Sequence, residues 1–230
     1  MTRKLICLLC VLLAVTEAMA QEVVFSDLPK PSDRVVYRKH SPAAAWSIRN
    51  NLAWDATGSL NLGLEVALGK HASIGGNFGF KSWDRYFFWD NFRYVDNPDI
   101  YGKWRHLTLA PEFRWYPRAV SRGHFFGADL LWVHYNVGAV RFPLHLYPAV
   151  VDQRVQGDLW GAGLFYGYAF ALGRHWRIET ELGVAGGWYN DDAFECGTCG
   201  ASLGARHGAT LVPKLGVNVV YTFLKKSENK

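Results

Sequence analysis

The stretch WGAGLFYGYAFALGRHWRIETELGVAGGWY (residues 160–189) decides the fold, because it reads as two long runs of period two joined by a very short turn. In the first run Trp160, Ala162, Leu164, Tyr166, Tyr168, Phe170 and Leu172 share one face, and Gly161, Gly163, Phe165, Gly167, Ala169 and Ala171 share the other. In the second run Trp176, Ile178, Thr180, Leu182 and Val184 oppose Arg177, Glu179, Glu181, Gly183 and Ala185. One face of this hairpin is therefore large and apolar, and the other carries glycines with charges of both signs. A soluble sandwich puts its bulky apolar face inside. The pattern here fits an apolar face turned to lipid and a polar face turned to an enclosed lumen. It predicts an all-β chain, an eight-stranded antiparallel transmembrane up-and-down β-barrel.

The same alternation extends to both sides. Trp46, Ile48, Leu52 and Trp54 form an outward face of a first strand over 46–55, with Asn50 the single misfit. Leu60, Leu62, Leu64, Val66 and Leu68 give the cleanest run of the chain. After a tight turn at Gly69-Lys70, Ala72, Ile74, Phe78 and Phe80 oppose Ser73, Gly75, Asn77, Gly79 and Lys81. Residues 104–116 make a fourth strand, in which Pro111 removes a ladder donor and predicts a bulge. A fifth strand centres on Phe126, Ala128, Leu130 and Trp132, and the eighth runs from Lys214 to Phe223. Long loops are expected at 83–103, 138–156 and 190–208, and short turns near Gly69, Arg118 and Gly173. Short and long connections alternate, as periplasmic turns and extracellular loops do in outer-membrane barrels.

Residues 1–20 carry Arg3 and Lys4, an apolar core over 5–15, and Ala18-Met19-Ala20, the layout of a cleaved secretory signal peptide. Residues 21–44, polar and with Pro29, Pro31 and Pro42, read as a loose periplasmic lead-in. The barrel is expected over 45–224, followed by a polar tail at 225–230. Aromatic residues make up 15% of the chain and there are 23 glycines, a composition suited to interfacial girdles and a crowded interior. The net charge of +5 is scattered with no basic run, so no nucleic-acid partner is expected. The expected location is the outer membrane of a Gram-negative cell. The expected partners are outer-membrane lipid, the barrel-assembly machinery that reads a C-terminal strand such as Val219-Tyr221-Phe223, and a surface protein or glycan at the long loops.

Collecting the inward charges gives Arg49, Lys81, Arg114, Arg177 and Lys214 against Glu65, Glu112, Asp129, Glu179 and Glu181. Eight strands enclose just enough room for side chains, and buried charges persist when paired. A charge-paired network closing the lumen is expected, with a narrow polar path as the alternative. HExxH spacing does not occur, and no nucleophile elbow is expected. The candidate for a rim-site lipid-modifying enzyme is His134, on the outward face of strand five, which also reads as an interfacial histidine. Cys196-Gly197-Thr198-Cys199 reads as a disulfide in an oxidising compartment. Free or redox thiols, or half of a metal site completed by His207, are the alternatives. No cofactor and no catalytic residue is expected.

Residues 49–223 resemble an uncharacterised family, a domain of unknown function, of small outer-membrane barrels of Bacteroides-type bacteria. The pieces that carry the resemblance include Asn61-Leu62-Gly63-Leu64-Glu65, Pro111-Glu112-Phe113-Arg114-Trp115, Gly123-His124-Phe125-Phe126-Gly127, Trp176-Arg177-Ile178-Glu179, and Cys196 with Cys199. The resemblance implies a compartment and a fold, and a loose association with surface appendages, but no activity. The function expected is noncatalytic surface binding, adhesion or envelope integrity, with a rim-site lipid-modifying enzyme or narrow small-solute transporter as the alternative.

Overall fold

Strict alternation of large apolar and small or polar residues builds extended chain, because successive side chains of a strand point to opposite faces. Eight such strands form: β1 (Trp46–Asn51), β2 (Leu60–Ala67), β3 (Ala72–Lys81), β4 (Lys103–Trp115), β5 (Gly123–Gly138), β6 (Arg154–Ala171), β7 (Trp176–Phe194) and β8 (Ser202–Phe223). Two short helices, α1 (Leu52–Ala56) and α2 (Ala149–Asp152), complete the set among the described residues. The computed structural model describes residues 46–83, 102–142, 146–196 and 200–223. The expected leader (1–20), lead-in (21–44) and tail (225–230) lie outside them, as do residues 84–101 of the first long loop.

Each strand pairs antiparallel with its sequence neighbours, and β8 returns to β1 from Trp46↔Phe223 to Asn51↔Asn218, which closes the barrel. Such closure removes free sheet edges wherever the ladder is complete. The turns β2–β3, β4–β5 and β6–β7 are tight and lie at the end that also carries Trp46 and Phe223. The other connections rise from the opposite, loop-bearing end. Side chains divide as the alternation requires. Leu164 (69% exposed) and Trp188 (72%) look outward, whereas Arg114 (1%) and Glu179 (0%) are sealed inside.

Three local expectations are corrected. The first strand does not reach Asp55; it stops at Asn51, and the chain turns into α1. A clasp of amides makes this break. Asn51 accepts from the Ala53 N–H at 3.0 Å and caps the helix, the Asn51 N–H donates to Asn61 Oδ1 at 2.6 Å, and Asn61 and Asn50 both donate to Asp55. Asn50, the misfit of the apolar face, sits where the strand fails. As a consequence Trp54 is not an outward girdle residue. Its indole lies inside against Gly79, where any Cβ would strike the ring, and meets His106 edge-on at 5.2 Å.

Pro111 makes no bulge. It faces Gly76 of β3, and the β4–β5 register is the same on either side of it, from Leu109↔Trp132 to Glu112↔Asp129. The one irregularity of β7–β8 falls at Ala193/Phe194. The third long loop is also shorter than expected, since β7 runs on to Phe194 and β8 begins at Ser202, leaving residues 195–201 as the connection. Strand lengths are thus very unequal, 6 residues in β1 against 22 in β8.

Gly79→Val tests the placement of Trp54. Overpacking of this kind costs about 1–3 kcal/mol, expected as a lower urea midpoint that largely recovers in a Trp54→Ala background. An equal loss in both backgrounds would mean that the ring does not occupy this site.

Candidate functional site

The interior divides into a sealed floor near the tight turns and a cavity above it. The floor is made by charges that the period of two delivers inward from β1, β2, β4 and β7. Arg114 is its hub. Its Nε donates to Glu112 at 2.5 Å, Nη1 to Glu179 at 2.7 Å and Nη2 to Glu181 at 3.0 Å. Arg49 reaches Glu112 directly and also through Asn77, which accepts from Arg49 at 2.8 Å and donates to Glu112 at 2.7 Å. Arg177 donates to Glu179 and Glu65 and to the hydroxyl of Thr222. Glu65 further accepts from Ser73 at 2.6 Å and from Tyr116 at 2.8 Å. Aromatic rings cap the assembly. Tyr116 and Phe125 are fully buried, and the Arg114 guanidinium lies 4.7 Å from the Phe125 ring centroid.

Of the ten expected lumen charges, seven therefore join in one connected network: Arg49, Glu65, Glu112, Arg114, Arg177, Glu179 and Glu181. Asp129 and Lys214 form a separate ion pair over the Phe165 ring. Lys81 is turned to other partners. Its Nζ donates to the Thr57 carbonyl at the end of α1 at 2.7 Å and lies 5.3 Å from the Trp104 ring centroid.

Above the floor lies a cavity of about 690 Å³. Trp54, Ala110, Leu131, Val133, Leu159 and Val212 give it apolar walls, and Ser59, His106 and Thr108 give it a polar strip. Ser59 Oγ is 3.0 Å from His106 Nε2, and His106 Nδ1 is 3.2 Å from Thr108 Oγ1. A nucleophilic serine needs a histidine whose far nitrogen is oriented by a third group, commonly a carboxylate that stabilises the imidazolium. A threonine hydroxyl holds that position here. The alternation placed His106 inside; its meeting with Ser59 was invisible because it depends on α1 turning the chain inward.

At the mouth, Tyr135 donates to Asp191 at 2.7 Å, and Arg206 grips the same carboxylate at 2.9 and 3.1 Å. Burial, and after it the bond to Asp191, raises the Tyr135 phenol above its usual range, and the hydrogen bond to Asp191 raises the Arg206 guanidinium. This triad was missed because residues 190–208 read as loop rather than as strand extensions. Tyr147, in the 139–153 connection and at φ 55°, donates from its hydroxyl to the Leu211 carbonyl of β8 at 2.6 Å.

His134 is outward and exposed. It bonds Asp158 at 3.1 Å, which also accepts from Trp132 Nε1 at 3.1 Å, and no serine hydroxyl is among these partners. Cys196 lies just beyond β7, and Cys199 falls outside the described residues, as does their expected disulfide. Among the described residues no cluster of metal-ligating side chains occurs.

A family model described as Protein of unknown function (DUF3575) matches residues 33–223. The chain belongs to that family. No curated protein and no solved structure matches it. The match agrees with the resemblance to an uncharacterised family, and it brings neither an activity nor a compartment to the residues above.

Removing one partner of a buried ion pair leaves its counter-charge stranded and costs about 3–5 kcal/mol. Arg114→Ala, which takes the shared cation from Glu112 and Glu179 and leaves Glu181 without its ion-pair partner, is expected to lose about that much stability in a urea titration. Lys214→Ala, with a single partner, is expected to lose less.

Proposed function

We propose that this protein is an outer-membrane β-barrel that does not conduct solutes and acts as a noncatalytic binding protein at its loop-bearing end. The observation that carries the reading is the inverted polarity of the wall: charges sealed within, and an exposed apolar belt outside. Leu62, Leu64, Leu130, Leu164, Leu182, Leu215 and Val217 are all exposed, far beyond the few hundred Å² of apolar surface that a soluble monomer leaves in one patch. Aromatic rings border this belt. Trp132, Trp160 and Trp188 are register partners in a row across β5, β6 and β7. Toward the tight turns Trp46 stacks on Phe223 at 3.8 Å, and Trp176 packs on Tyr221 at 4.9 Å. On β7, Trp176 and Trp188 stand twelve residues apart. At about 3.3 Å per residue and a tilt of roughly 35–45° they are separated by about 30 Å along the axis, which suits an apolar band of about 25 Å with its two girdles.

The closed floor favours binding over transport. A through-path would have to part Arg114 from three carboxylates and displace Tyr116 and Phe125, whereas the cavity above is formed without any such rearrangement. The leader-like residues 1–20 and the Val219-Tyr221-Phe223 strand fit export and assembly into the outer membrane, with the long connections facing outward. A surface protein or glycan at those connections, in adhesion or envelope integrity, completes the reading.

In planar bilayers the refolded protein is expected to insert without steady conductance. Stable nanosiemens-scale openings would overturn the closed floor, and failure of the folded protein to enter bilayers or detergent micelles would overturn the membrane reading itself.

A further inference from the structure

The broken first strand has a consequence for the wall. Pairing of β1 with β2 ends at Arg49↔Gly63, and pairing with β8 ends at Asn51↔Asn218. Beyond those levels, among the described residues, β8 from Ser202 to Val217 pairs only with β7, and Leu60 and Leu62 of β2 pair only with β3. The helix α1 takes the place of the missing strand only at its start. The cavity is lined on this side both by inward residues, Ala110 and Val212, and by the outward residues Leu62, Phe78, Pro213 and Leu215. Residues of both faces border this space at the level where β2 and β8 have lost their ladder partner, as a gap in the wall would allow. Pro213 lies in the run paired on one side only, with Val184 of β7, and lacks an N–H, as suits an edge. Two residues away, the Leu211 carbonyl accepts from the Tyr147 hydroxyl.

We infer that the seam between β2 and β8 is a lateral portal through which the acyl chain of a single lipid amphiphile passes from the membrane into the cavity. This rests on the membrane reading proposed above. The outer lip belongs to the exposed apolar belt, with Leu62 at 49%, Phe78 at 42% and Leu215 at 63% exposure. A polar solute in water would not meet such an opening; a hydrocarbon chain already in the bilayer would. Within, Leu131, Val133 and Leu159 supply the opposite wall, and the Asp129–Lys214 pair closes the space below. The volume of about 690 Å³ lies within the roughly 300–1,000 Å³ of small-molecule sites. At the mouth Arg206, which keeps 35% side-chain exposure, is placed to meet an anionic head group. Tyr147 latches the upper end of the seam to β8.

The test uses the full chain in nanodiscs containing either a diazirine-bearing palmitate or a phosphatidylcholine with a diazirine in one chain, irradiated and mapped by mass spectrometry. Adducts are expected on interior residues Trp54, Ala110 or Val212 as well as on the outward Leu164 and Leu182. Unlabelled palmitate is expected to suppress the interior adducts severalfold and leave the outward ones unchanged, and Val212→Trp is expected to do the same by filling the space. Interior labelling by palmitate alone would identify a free fatty acid as the ligand; labelling by the phosphatidylcholine as well would identify a membrane phospholipid. Adducts confined to Leu164, Leu182 and the rest of the belt would overturn the portal while leaving the membrane reading intact. No adducts on either face would overturn both.

Discussion

Everything inside this barrel depends on how Arg114 is satisfied. A guanidinium sealed from water carries several kcal/mol of desolvation cost, and its attraction to carboxylates offsets that only when its donors are well placed. Here Nε, Nη1 and Nη2 each meet a different carboxylate, supplied by β4 itself and by β7. Glu112 stands two residues before Arg114 on the same inward face, and Glu179 and Glu181 stand two apart on β7. The carboxylates thus arrive at the hub by the pleat alone. Slipping one strand by a single residue would turn these charges outward and the belt inward. The ion network therefore specifies register at least as much as it adds stability.

The network also explains why the small residues lie where they do. A Cβ at Gly63 would strike the Arg49 side chain, and one at Gly216 would strike Glu181. Eight strands leave room for the interior side chains only if some wall positions are empty of them. Glycines opposite long charged residues are the steric counterpart of the charges themselves. Glycines make room for rings in the same way, Gly167 for Phe125 in the floor and Gly79 for Trp54 at the cavity.

Most of the strand pattern was legible because period two survives any tertiary context that keeps one face apolar. The ten inward charges were legible for the same reason, and nine of them meet an opposite charge among those ten. What period two could not show is where a strand stops. In residues 46–55 the alternation continues through Leu52 and Trp54, yet the backbone leaves the sheet after Asn51 because side-chain amides of Asn51 and Asn61 bond the main chain in place of a ladder. Only Asn50, out of phase, hinted at the break. The outer part of β7 and β8 was missed for the opposite reason. Tyr189, Asp191 and Arg206 lie above the apolar belt, where both faces are polar and hydrophobic alternation has nothing to report. The Ser59–His106 contact needed both the inward helix and the β3–β4 register, neither of which is local.

The inequality of the strands links fold to function. A barrel whose eight strands were equally long would present a continuous wall, and the space above the floor would open only at its mouth. Here the chain gives 6 residues to β1 and 22 to β8, so the ladder can be complete only near the tight turns. The same asparagine clasp that ends β1 sends Trp54 inward, shapes one wall of the cavity, and leaves the upper part of β8 without a second strand partner among the described residues. A stretch of unpaired backbone beside lipid would be strongly disfavoured. Its main-chain groups must be met by something other than a strand, and Tyr147 at Leu211, together with the missing donor of Pro213, relieves part of that demand without sealing the seam. A ladder has to unzip as a unit, whereas a single phenol–carbonyl bond contributes about 1 kcal/mol. A wall closed in this way can open locally while the ion-paired floor stays shut.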